Sequence, residues 1–190
     1  MRGFLIFLTD FADLATILPL AVAVALCLAG IGWRRGALAW LAAVPGTLAT
    51  ALLLKILILS HPGLLGGGSL RNPSGHATAA AVVYGGLVAL FAGSLAWRMA
   101  VGLLAAAGAG LLIGLTRVLL GWHSVPDVLM GAAVGIGGVV ALARLAGPRP
   151  PQARMFGLVI VLVAVVMAFH GHRLAAEETI RLIAEQISPR

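Results

Sequence analysis

Residues 99–146 read MAVGLLAAAGAGLLIGLTRVLL, then GWHS, then VPDVLMGAAVGIGGVVALARLA, and this stretch decides the fold. A helix that crosses a bilayer needs about 20 mostly apolar residues, and a run of that length stands on each side of GWHS. Four residues leave room only for a turn, so the two runs form neighbouring antiparallel spans. The polar residues are unevenly placed. Arg117 lies near the end of the first run and Asp127 near the start of the second, with His123 between them. Ionisable groups at such positions are costly in lipid and mark a functional site by default.

Working outward, four more apolar runs cover residues 14–32, 37–59, 77–95 and 155–171. The chain is 61% hydrophobic and 10% charged, with a mean hydropathy of +1.08. Soluble domains have about 45–50% apolar and about 25% charged residues, so a soluble fold and a disordered chain are both excluded. The single cysteine, Cys27, excludes a disulfide framework and a multi-cysteine metal site. The net charge of +7 is spread singly between apolar runs, which is not the basic face of a nucleic-acid binder. The expected fold is all-α: one polytopic membrane domain over residues 1–190, a six-helix transmembrane bundle with its site at one membrane face. Breaks are expected at 33–36, 60–76, 96–98, 121–124 and 147–154. Residues 1–13 read as an interfacial lead-in, not a cleaved leader. Residues 173–190 read as a surface tail whose Leu174, Ile180, Ile183 and Ile187 have amphipathic spacing.

Gly110-x-x-x-Gly114 and Gly131-x-x-x-Gly135 suit close helix packing, inside the bundle first and in a homo-oligomer second. Arg34, Arg35, Arg98, Arg144, Arg149 and Arg154 border one set of connections, with no acidic residue among them. The positive-inside rule makes that side cytoplasmic. Both termini and the 60–76 loop then face outward, to the periplasm or cell exterior, from an inner (plasma) membrane.

Lys55, His76, Arg117, His123 and Asp127 all fall at helix ends on that outward side. Pro73-Ser74-Gly75-His76 opens a helix. Ser74 is a natural N-cap, Gly75 admits close approach, and the free amides with the helix dipole favour an anion. An ordinary cap beside a surface histidine would look the same. Arg117 can fork onto phosphate oxygens, or merely snorkel. Asp127, four residues after His123, can hold one ring nitrogen and leave the other basic, or merely cap its helix.

Taken together, these segments resemble the type 2 phosphatidic acid phosphatase (PAP2) family of membrane lipid phosphatases, related to vanadium haloperoxidases. Its patterns are Lys-x6-Arg-Pro, Pro-Ser-Gly-His and Ser-Arg-x5-His-x3-Asp. The second is complete at residues 73–76. The third is Arg117-x5-His123-x3-Asp127, with Thr116 in the serine position. The first is altered: Lys55 is present, but His61-Pro62 stands where Arg-Pro is expected, shifted by one. Arg71 is the next arginine and the residue expected to supply the missing phosphate contact; a solvated loop charge is the plainer reading, and His61 reads as a loop residue.

The resemblance implies removal of phosphate from a lipid without metal or other cofactor, through a phosphohistidine. His123 is then the nucleophile, Asp127 its orienting carboxylate and His76 the acid for the leaving oxygen. Lys55, Arg117, Arg71, Ser74 and Gly75 hold the phosphate. Short loops and a site at headgroup depth suit a polyprenyl diphosphate, phosphatidylglycerol phosphate, phosphatidic acid or lipid A phosphate. The partners expected are that substrate, the surrounding lipids and, second, further copies of the chain in a homo-oligomer, with no nucleic acid. Two other readings use the same residues: a non-catalytic lipid-phosphate-binding or transport protein, and a metal-dependent hydrolase built on His61, His76 and His123.

Overall fold

The computed structural model describes residues 1–61, 72–151, 153, 155–174, 180, 182, 183 and 186. The described elements are helices: α1 (Arg2–Asp10), α2 (Leu14–Gly30), α3 (Arg34–Ser60), α4 (Gly75–Phe91), α5 (Leu95–Leu119), α6 (Val125–Leu145) and α7 (Phe156–Phe169). The fold is all-α and polytopic. Four helical stretches are long and apolar enough to cross a membrane, and α4 and α7 are shorter apolar helices.

Helix α4 is the centre. Residues 77–83 are buried without interruption, as expected of a helix that is apolar on all sides. It packs against α3, α5 and α6, while α2 packs against α3 and α7. Small residues set the spacing. A Cβ on Gly85 would lie 2.7 Å from the Cα of Ala106, and one on Gly102 would lie 2.8 Å from the Cβ of Ala89. The two small-residue pairs seen in the sequence work in the same way. Gly110 faces Ala81 and Ala132, Gly114 faces Val128, Gly131 faces the carbonyl of Ser74, just before α4, and Gly135 faces the Thr78 carbonyl within it.

Two expected breaks lie a few residues earlier than predicted, at 31–33 and 92–94. Residues 96–98 fall in the first turn of α5, because Ser94 caps it through a hydrogen bond from the Trp97 amide. Likewise α3 begins at Arg34, before the predicted 37. Several side chains at this end of the bundle reach backbone carbonyls at the ends of neighbouring helices. Arg35 Nε donates to the Leu145 carbonyl at 3.0 Å, and Arg149 Nη1 to the Phe91 carbonyl at 3.2 Å. Arg98 donates to the Ala92 and Gly147 carbonyls, and Trp33 Nε1 to the Ala146 carbonyl at 3.1 Å. Helix C-termini leave carbonyls unpaired and carry partial negative charge. Some of the arginines counted for orientation are therefore also helix caps.

The opposite end of the bundle gathers the starts of α2, α4 and α6 and the ends of α3, α5 and α7. The lead-in forms α1, a short amphipathic helix. Of the tail, residues 180, 182, 183 and 186 are helical.

Candidate active site

The α5–α6 turn is built by its own sequence. Gly121 takes φ +73°, a conformation open to glycine at little cost. The Trp122 and His123 amides then fold back onto the Arg117 carbonyl at 2.9 and 3.3 Å. Ser124 and Asp127 form a reciprocal capping box at the start of α6, with Pro126 in its first turn.

Asp127 is the hub, and it is 3% exposed. Its Oδ1 accepts from the Asn72 amide at 2.9 Å and its Oδ2 from the Ser124 amide at 3.0 Å. Its own carbonyl accepts from the Ser74 amide at 2.9 Å. One residue thus ties the segment before α4 to the start of α6. Thr78 adds a second tie, donating to the Gly131 carbonyl at 2.9 Å. Oδ2 also lies 3.6 Å from His123 Nδ1, with both side chains almost fully buried. That leaves Nε2 as the ring atom a substrate would meet.

Ser74 is fully buried and caps α4 through the Ala77 amide. Nothing lies within 4 Å of where a Gly75 side chain would begin, so the first turn of α4 is open on that side. His76 follows, about one-quarter exposed. Arg117, His123 and Lys55 all lie close enough to act on His76 through their charge. Lys55 is 5% exposed, near the end of α3. The Arg117 guanidinium carbon sits 4.3 Å above the Trp122 ring, a stacking that fixes the plane of the fork.

The five helix-end residues read from the sequence are therefore brought together from α3, α4, α5, the following turn and α6. Ser74 and Gly75 stand at the same place. Arg71 lies outside the described residues, as does Pro62. His61 is exposed at the C-cap of α3. Among the described residues no group of three or more His, Cys, Asp or Glu side chains is arranged to hold a metal ion.

Three participants escaped the sequence reading. The Asn72 amide is a backbone group and has no signature. Trp122 next to His123 read only as part of a turn. Asp13 read as part of a lead-in, yet its Oδ2 is 3.8 Å from His76 Nε2; its place just before an apolar run does signal an N-cap, but not what it faces.

The site thus offers a buried Asp–His pair, a second histidine, two cations and a helix N-terminus in one place. Such a set binds an anion of phosphate type and can supply a nucleophile and a proton donor to it. The sequence model of the PAP2 superfamily matches residues 20–151. No curated protein and no solved structure matches the chain.

Proposed function

The chain belongs to the PAP2 superfamily, a family of phosphatases acting on phosphate esters, and from that premise we propose that it hydrolyses a lipid phosphate through a phosphohistidine. The observation that carries the reading is the His123–Asp127 pair at 3.6 Å, on the same face as Lys55, His76 and Arg117. The Asp127 carboxylate favours the tautomer with the proton on Nδ1, so Nε2 holds the lone pair aimed at phosphorus.

In the first step the His123 Nε2–P bond forms as the P–O bond to the lipid breaks. Protonated His76 gives its proton to the leaving oxygen, so the lipid departs as an alcohol or as a monophosphate. In the second step His76, now neutral, takes a proton from water. The P–O bond to that water forms as the Nε2–P bond breaks, releasing inorganic phosphate and restoring both histidines. Charge on the phosphoryl oxygens is met by Lys55, Arg117, the amides at the start of α4 and, from the segment before it, Arg71. Phosphoryl transfer depends chiefly on such positioning and charge stabilisation, and no metal enters these steps. The substrate class is a phosphomonoester or diphosphate of a membrane lipid, because the site opens at the end of a bundle with little chain outside it. The site faces the outside of an inner (plasma) membrane, on the arginine distribution.

The test is phosphate release by purified full-length protein in detergent from phosphatidic acid, phosphatidylglycerol phosphate and undecaprenyl diphosphate, with EDTA present. Release that persists in EDTA and is lost in His123→Ala supports the reading. Binding of these lipids without any release would instead make this a lipid-phosphate-binding or transport protein. Loss of release on chelation would restore the metal hydrolase.

A further inference from the structure

The α1–α2 junction is held more firmly than an interfacial lead-in requires. Asp10 accepts from both Nε and Nη2 of Arg173, each at 2.8 Å. Thr16 Oγ1 donates toward the Asp10 and Phe169 carbonyls, each at 3.3 Å. Tyr84, on α4, donates its hydroxyl to the Phe11 carbonyl at 2.6 Å. His170 packs edge-on against Phe7 and at a tilt against Phe11, with centroids at 4.6 and 4.2 Å. The start of the chain and the segment after α7 are thereby clasped together beside α4.

Asp13 sits inside this clasp and is 6% exposed. Its two oxygens do different things. Oδ1 accepts from the Ala15 amide at 2.9 Å and from the Leu174 amide at 3.1 Å, so it caps α2 and ties down the tail. Oδ2 is directed at His76 Nε2, 3.8 Å away. A cap needs one oxygen only; the second stands at ion-pair distance from His76, while Arg173, held by Asp10, also acts on the Asp13 charge from the tail side. Among the described residues the other charged groups that act on His76 are cationic or cation-forming: Lys55 from α3, Arg117 from α5 and His123 from the turn before α6. Among the described residues, Asp13 is the carboxylate that faces it at ion-pair distance.

We propose that Asp13 is a positioning residue for His76, holding the imidazole by Nε2 so that Nδ1 is the atom presented to the leaving oxygen. The proposal rests on the phosphatase reading. It gives the site two carboxylate–histidine pairs with different tasks. Asp127 holds His123 by Nδ1 and frees Nε2 for attack. Asp13 holds His76 by Nε2 and frees Nδ1 for proton delivery. Because the Asp13 carboxylate is fixed partly by the Leu174 amide, the two ends of the chain together set the aim of the acid.

The experiment compares Asp13→Asn, His76→Ala and the double variant of the full-length protein on p-nitrophenyl phosphate and phenyl phosphate. Asparagine retains a capping oxygen for Ala15 and Leu174 and removes the charge from His76. A general acid supplies about 10²- to 10⁴-fold, and loss of its aim should remove roughly 10- to 100-fold of kcat on phenyl phosphate, the poorer leaving group. On p-nitrophenyl phosphate the loss should stay within about threefold, since that leaving group needs little proton help. KM and vanadate inhibition should be unchanged. In the His76→Ala background, adding Asp13→Asn should cost nothing further, because both act through one proton. Asp13→Ser, which also keeps a capping oxygen, should repeat the pattern. Equal losses on both esters, or losses that multiply with His76→Ala, would reduce Asp13 to a structural cap and overturn the proposal. If His76→Ala itself loses equally on both esters, it is the acid role of His76 that fails.

Discussion

Replacing Asp127 by asparagine separates the two tasks of that residue. The carboxylate accepts from the Asn72 and Ser124 amides, one on each oxygen. The amide side chain can keep one of these bonds, and its NH2 group then faces an N–H donor on the other side. One charge-assisted bond is lost with its buried partner left unsatisfied, which costs about 1.5–3 kcal/mol. For a chain of this size each kcal/mol moves Tm by about 2–4 °C, so the expected fall is about 3–12 °C. The effect on chemistry is larger. If the NH2 group turns toward His123, 3.6 Å away in the native pair, it forces Nδ1 to accept. Nε2 then carries the proton and has no lone pair for phosphorus. Tautomer reversal in an Asp–His pair costs roughly 10⁴-fold in kcat. The assay is phosphate release in detergent beside a thermal melt of the same sample. A folded Asp127→Asn protein retaining more than about a tenth of its activity would refute the orienting role, since even the lower range for acid–base assistance is about 100-fold. An unchanged Tm would refute the hydrogen-bond framework.

A Cβ on Gly131 would run into the Ser74 carbonyl, whereas Gly137 on the same helix has nothing within 4 Å. Gly131→Ala should therefore cost about 1–3 kcal/mol by overpacking and lower activity by moving the start of α4, while Gly137→Ala should leave both melt and turnover intact. Arg71→Ala should weaken turnover and vanadate inhibition by about 1.5–3 kcal/mol, roughly 10- to 150-fold, the worth of a charged hydrogen bond, with partial recovery in Arg71→Lys. A silent Arg71→Ala beside a crippling His61→Ala would instead make His61-Pro62 the remnant of the first motif. In a Cys27→Ala background, cysteine at Ser69 should react with an impermeant thiol reagent in intact cells and cysteine at Pro148 only after permeabilisation; the reverse pattern would place the site on the cytoplasmic leaflet.

Much of this protein was legible without coordinates, because lipid makes the rules strict. An apolar run of span length has few alternatives to a helix, since unsatisfied backbone groups in hydrocarbon are too costly. The sequence by itself therefore determined the all-α class, the runs that become α2 to α7 and their antiparallel order. It also determined the short-range chemistry: the Ser74 cap, Asp127 as a cap of its own helix and the four-residue spacing that sets His123 beside it. Helix ends were read less well. Hydropathy does not see Ser94 capping α5, or arginines reaching a neighbour's terminal carbonyls. Only the tertiary structure decided what meets across the bundle. The Asn72 amide on Asp127 and the Ser74 carbonyl against Gly131 are backbone contacts between segments far apart in the chain, and no residue type announces them. Asp13 shows the difference most plainly. Its sequence neighbourhood specifies a cap, which uses one oxygen through a local bond. The direction of the other oxygen depends on where α2, α4 and the tail come to rest, and that is settled by packing of small residues over the whole bundle.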